Sequence, residues 1–129
     1  MSRGFTLLEL IVVIIIIGVL ATLGFTQYTT VTEKGRTAEA KSVIGLIRKA
    51  QLAYKYENGT FAATLTSISV SAPGTCTSTH YFSYSEGAMN QGAWANRCTS
   101  GGKAPNAAAS YSIYLDYDTG VWSGTAGYY

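Results

Sequence analysis

Residues 3–25 read RGFTLLELIVVIIIIGVLATLGF. One acid, Glu9, stands near the start, and no charged side chain follows from Leu10 to Thr26. Those 17 residues cover roughly 25 Å as a helix at about 1.5 Å per residue. Phe5–Leu8 bring the run toward the ~20 residues that cross a bilayer. The segment is therefore expected to enter a membrane. A secretory signal peptide has a basic start, an apolar stretch of roughly 7–15 residues and a small-residue cleavage site. Arg3 is a thin basic start, the run is longer than that, and a cut near Ala21-Thr22 is poorly specified. A plain membrane anchor accounts for the length but not for Glu9. A carboxylate inside a bilayer costs about 2.5–3.5 kcal/mol at the centre on insertion scales, less near an end. An ionisable group kept in such a place asks for a function.

Gly4-Phe5-Thr6-Leu7-Leu8-Glu9, followed by an unbroken apolar helix, resembles the class III signal of type IV pilins and their pseudopilin relatives. The resemblance implies a leader, Met1–Gly4, removed by a membrane-embedded prepilin peptidase that cuts after Gly4. Phe5 then becomes the N-terminal residue and is N-methylated, and Glu9 serves filament assembly. Cleavage would give Phe5 a positive amine, which can meet the Glu9 carboxylate of the next subunit inside an apolar bundle. Each charge alone is costly there, and together they offset that cost only at the correct register. The leader and Arg3 are expected on the cytoplasmic side of the inner membrane. The resemblance implies that an assembly platform driven by an ATPase then extracts subunits into a helical homo-oligomer outside the cell. Relatives often carry a proline near the position of Thr26. Here Gly24, Phe25 and Thr26 stand instead, and Gly18 and Gly24 each loosen a helix by roughly 1 kcal/mol against alanine.

From Gln27 to Glu57 the chain turns polar but keeps a helical pattern, with Gly35 and Gly45 and no proline. Ala40, Val43, Ile44, Ile47, Ala50 and Tyr54 recur at steps of three and four and form one apolar stripe. Asn58-Gly59 predicts the helix end. Residues 5–57 give a helix of about 80 Å, whose second half covers a small sheet. Arg48, Lys49 and Lys55 read as a solvated face or as charges pairing between subunits, with a DNA-binding patch as the sharper alternative.

Residues 58–129 are rich in Gly, Ser, Thr and Tyr, a composition of short strands and turns. Tyr111, Ile113, Leu115 and Tyr117 alternate onto one strand face. Asp118-Thr119-Gly120 is a turn, and Val121-Trp122-Ser123 returns antiparallel. Asp116 and Asp118 faintly resemble the start of a calcium loop, but its remaining ligands are missing from the sequence. Asn58-Gly59-Thr60 matches a glycosylation sequon, although the glycine alone explains a turn. Cys76 and Cys98 are the two cysteines, with one histidine and no CxxC pair. That favours a disulfide outside the cytoplasm over a zinc site. Such a bond would add roughly 3 kcal/mol in the chain-entropy model. By resemblance, the disulfide would staple a variable surface loop, here TSTHYFSYSEGAMNQGAWANR.

The expected fold is α+β: a long N-terminal helix, apolar in its first half, with the amphipathic half on an antiparallel head, as in a pilin ladle. The expected divisions are leader 1–4, hydrophobic helix 5–26, amphipathic helix 27–57 and head 58–129. The net charge of +2 is too mild to make nucleic acid the main partner. No Ser/His/Asp set, metal cluster or phosphate loop is visible, and His80 near Ser83 reads as loop surface, so no catalytic site and no cofactor are expected. Ten tyrosines and two tryptophans could line a conductive filament, but they equally suit wet interfaces and small cores. The favoured function is the structural subunit of a type IV pilus-like filament, the major pilin. The alternative is a minor pilin or a pseudopilin of a type II secretion or DNA-uptake machine.

Overall fold

The computed structural model describes Met1 and residues 4–129; Arg3, the basic residue of the leader, lies outside the described residues. One helix, α1, runs Leu7–Asn58. It starts two residues later than expected, because Phe5 and Thr6 precede its first turn. It ends at Asn58, where Gly59 takes φ +78° and donates its N–H to the Lys55 carbonyl at 2.8 Å. This left-handed step suits a residue without Cβ and closes a helix end. The chain forms two compact units, Met1–Glu33 and Lys34–Tyr129.

In the first unit the apolar side chains face outward, from Leu7 at 76% exposure through Ile11 at 41% to Phe25 at 70%. An 18-residue window of α1 has a mean hydropathy of 2.8, so the helix is long and apolar enough to cross a membrane. Its threonines do not leave hydroxyls unpaired: Thr22 donates to the Val19 carbonyl at 2.8 Å and Thr26 to that of Leu23 at 3.2 Å. Back-bonding of this kind lets a hydroxyl sit in apolar surroundings. The helix continues through Gly18 and Gly24.

The second unit packs the later half of α1 on a four-stranded antiparallel sheet in the order β1-β2-β3-β4. The strands are β1 Phe82–Glu86, β2 Gly92–Arg97, β3 Ser112–Asp116 and β4 Trp122–Gly124. The fold is α+β and pilin-like. Helix residues Thr37, Ala40, Ile44, Ile47 and Gln51 are buried, a run of three- and four-residue steps. Val43, Ala50 and Tyr54 pack at its margin. Their partners are Phe82, Tyr84, Ala93, Ala95, Ile113 and Leu115, with Tyr111 and Tyr117 flanking β3. All four residues of the predicted alternation at 111–117 are buried.

The stretch between the cysteines corrects an expectation. It is no surface loop: it holds β1 and β2, the whole first hairpin of the sheet. β1 supplies the large inward side chains of Phe82 and Tyr84 and β2 the small ones of Ala93 and Ala95, with Ala95 directly opposite Tyr84. Alternating bulk of this kind packs a thin sheet against a helix. At the turn between them Met89 and Asn90 both take φ +56°, a conformation that costs L-residues roughly 1–2 kcal/mol each.

A polar network crosses this core. The Gln51 amide donates to the Ala62 carbonyl at 3.2 Å and to Glu86 Oε1 at 3.2 Å, and its oxygen accepts the Ala62 N–H at 2.8 Å. The Tyr117 hydroxyl donates to Glu86 Oε2 at 3.2 Å. Burial pushes the Glu86 carboxyl above its ordinary 4.5, against the lowering effect of the bonds from Tyr117 and Gln51. The folded state therefore holds this proton to higher pH than the unfolded chain does. The contribution of Glu86 to stability is largest below the unfolded value of 4.5 and declines as pH rises above it. In denaturant titrations across that window, wild type is expected to lose stability with pH relative to Glu86→Gln, whose difference from wild type isolates this one group.

Candidate assembly site

Gly4 and Phe5 precede the helix and are exposed; Phe5 is 80% exposed. Thr6 and Glu9 then clasp each other across the first turn of α1. Glu9 Oε2 accepts the Thr6 main-chain N–H at 2.9 Å and the Thr6 hydroxyl at 2.7 Å. In return the Glu9 N–H donates to Thr6 Oγ1 at 3.2 Å. This is a capping box, in which the residue before the helix and the third residue within it satisfy each other's orphan donors. The positive end of the helix dipole adds to the attraction. The threonine–glutamate spacing was legible in the sequence, yet Thr6 was not singled out there. Glu9 is the only acid before Glu33. Its charge is thus held locally by its own chain, at an exposed helix start, beside Gly4 and Phe5, where the sequence reading expects leader cleavage and methylation.

The remaining candidates fall into structural places. Cys76 and Cys98 form a disulfide, joining the segment before β1 to the end of β2. Arg48 Nε donates to the Tyr117 carbonyl at 2.8 Å, and Lys55 Nζ pairs with Asp118 Oδ1 at 2.7 Å. These two members of the basic trio hold the turn between β3 and β4 within their own chain. Asp116 Oδ1 accepts the Thr119 N–H and hydroxyl, each at 2.8 Å. Those bonds hold its carboxyl below the usual range. The two aspartates thus face separate partners, and among the described residues no group of three His, Cys, Asp or Glu comes together that could hold a metal. His80 Nδ1 shares a hydrogen bond with Thr79 Oγ1 at 2.8 Å, while Ser83 stands opposite Asn96 in the sheet. The Asn58 amide donates to the Tyr54 carbonyl at 3.0 Å, which ties the sequon asparagine to the helix end.

Arg97 carried no signal in the sequence. It is 2% exposed and donates to three carbonyls: Tyr81 at 3.0 Å, Cys98 at 3.1 Å and Pro105 at 2.8 Å.

The family model for the prokaryotic N-terminal methylation motif matches residues 1–25, the segment that holds Gly4, Phe5 and the Thr6–Glu9 clasp. The model for type IV pilin-like G and H matches residues 37–126, from the first buried residue of the amphipathic helix to just past β4. No curated protein sequence matches the chain. Since the second model spans well over half of the 129 residues and the first adds the methylation segment ahead of it, the chain belongs to the type IV pilin-like family.

Proposed function

We propose that this chain is the repeating structural subunit of a type IV pilus-like filament. Its working division is leader 1–4, assembly helix 5–26, amphipathic helix 27–57 and head 58–129. Prepilin peptidase removes Met1–Gly4, and Phe5 is N-methylated. The uncovered apolar helix holds the subunit in the inner membrane until an ATP-driven platform moves it into the filament. There the apolar helices bury one another, and the Glu9 of one subunit meets the Phe5 amine of the next. The role is assembly rather than catalysis.

One observation carries this reading: a carboxylate sits within the first turn of a helix whose apolar side chains are otherwise uncovered through Phe25, and the methylation motif covers that same segment. Burial of those side chains requires either lipid or other copies of the helix. The same chain serves both in turn, since the apolar surface matches either medium.

The test is mass analysis of the N-terminal peptide from sheared surface filaments. The expected peptide begins at Phe5 and carries one added methyl group. A peptide that still begins at Met1 in assembled material overturns the processing step. Recovery as the dominant protein of that fraction supports the major-subunit role, whereas traces in it, with a secretion or uptake defect on deletion, would assign the chain to a minor pilin or pseudopilin.

A further inference from the structure

The sheet has a second face, turned away from the helix it packs against. Ala93, Ala95, Ile113 and Leu115 turn to the core, so Trp94, Asn96, Ser112 and Tyr114 point the other way, each half-buried. Trp94 and Tyr114 pair directly across β2 and β3. Their ring centroids lie 4.7 Å apart with planes at 43°. The tyrosine rests against bare main chain. A Cβ at Gly92 would stand 2.2 Å from its hydroxyl oxygen, and one at Gly87 would stand 2.7 Å from its ring. Two glycines therefore clear the seat of this ring, and the aromatic pair is held in place before any ligand arrives. Around it, Ser85 stands opposite Trp94, Ser123 opposite Tyr114, and Asn96 opposite Ser112. The acid on this face, Asp116, already accepts two hydrogen bonds from Thr119.

We propose that this face binds an uncharged polysaccharide. A sugar ring presents an apolar C–H face and a rim of hydroxyls. The immobilised tryptophan–tyrosine pair matches the first, and the serine hydroxyls and the Asn96 amide match the second. Aromatic rings with two rotatable bonds give large contact area at small entropic cost, and Ser, Asn and Gly give adaptable hydrogen bonds. Nucleic acid would call for cations and a lipid surface for a cluster of aliphatic side chains; the strand residues named here supply no cation, and Val121, opposite Asp116, is a lone exposed aliphatic. Its lack of uncommitted charge selects a neutral glycan over an anionic one. This inference stands independently of the filament reading, because it needs only the folded head.

The experiment uses the full-length chain in detergent. Trp122→Phe leaves Trp94 as the sole tryptophan of the two in the sequence, and its emission is followed while cellohexaose or maltohexaose is added. At least one of these neutral oligosaccharides is expected to give a saturable shift, and the matching insoluble glucan is expected to retain the protein. Trp94→Ala and Tyr114→Ala should each lower retention at least tenfold. Asn96→Ala, a milder change that spares the rings, should lower it about threefold. Met89→Ala, at an exposed turn, should leave it unchanged. Retention of all three face variants at the wild-type level overturns the proposal, as does the absence of any shift with both sugars. A third overturning result is protection of Trp94 from acrylamide quenching in filaments without glycan, which would mean that a neighbouring copy covers this face.

Discussion

Glu9→Ala is expected to leave the subunit folded and inserted in the membrane but to remove the proposed filament. Among the described residues, the core of the second unit draws on none before Thr37, so this substitution takes nothing from it. The loss of the Thr6–Glu9 clasp costs a cap, typically about 1 kcal/mol, at the end of a 52-residue helix. Neither effect prevents insertion, and removal of a carboxylate makes entry into lipid easier. Under the proposed pairing, what disappears is the partner of the freed Phe5 amine. An unpaired ammonium inside a bundle of apolar helices carries a desolvation penalty of several kcal/mol. Assembly at the paired register is then no better than assembly at any other. Glu9→Gln separates the two roles of this side chain. An amide oxygen still accepts from Thr6, so the cap survives, while the charge is gone; filaments should be as absent as with alanine. The readout is the sheared surface fraction beside the membrane fraction, with protease resistance of the head as the check on folding. Normal filaments from Glu9→Gln would show that the clasp, rather than the charge pair, is what assembly needs.

Sequence reasoning worked where neighbouring residues differ sharply in polarity. Tyr111, Ile113, Leu115 and Tyr117 alternate with Ser112, Tyr114 and Asp116, and the inward set is the buried set. The N-terminal segment was legible for the same reason, since one acid against an apolar run cannot be overlooked. β2 escaped notice because its buried residues Ala93 and Ala95 are smaller than Trp94 between them, which faces outward, so the local pattern points the wrong way. Burial of those alanines follows from their neighbours across the strands, Glu86 and Leu115 for Ala93, Tyr84 and Ile113 for Ala95. β1 does alternate, Phe82 and Tyr84 with Ser83 and Ser85, but the loop expected between the cysteines obscured it. Gln51 and Arg97 were illegible in principle. Polar groups are buried only where specific partners await them. Those partners are the Ala62 main chain and Glu86 for one, and three carbonyls from Tyr81 to Pro105 for the other. Nothing local to either residue announces them. Sequence periodicity likewise missed that Lys55 and Arg48 reach residues 63 and 69 positions away.

Arg97→Ala is expected to destabilise the head by about 3–5 kcal/mol, from three carbonyls that lose a charged donor and from lost packing in the core. The fork of this guanidinium joins three chain segments: the entry to β1 at Tyr81, the disulfide at Cys98 and the loop at Pro105. It also lies 5.2 Å from the Tyr81 ring centroid and 5.7 Å from that of Phe82, so its removal takes packing along with hydrogen bonds. The carbonyls it leaves lose a charged donor, which costs about 1–3 kcal/mol for each that stays buried. A domain of this size holds only about 5–15 kcal/mol in total. The disulfide keeps the segment ends together but cannot replace those bonds. Arg97→Lys should recover less than half of the loss, because a single ammonium cannot present the planar fork that reaches three carbonyls from one position. Denaturant unfolding of the full chain, followed by near-ultraviolet circular dichroism, measures both variants. A drop under 1 kcal/mol for alanine would mean that water takes over the three carbonyls and that Arg97 is no keystone of the loop. If lysine matched arginine, charge rather than geometry would be what the site requires.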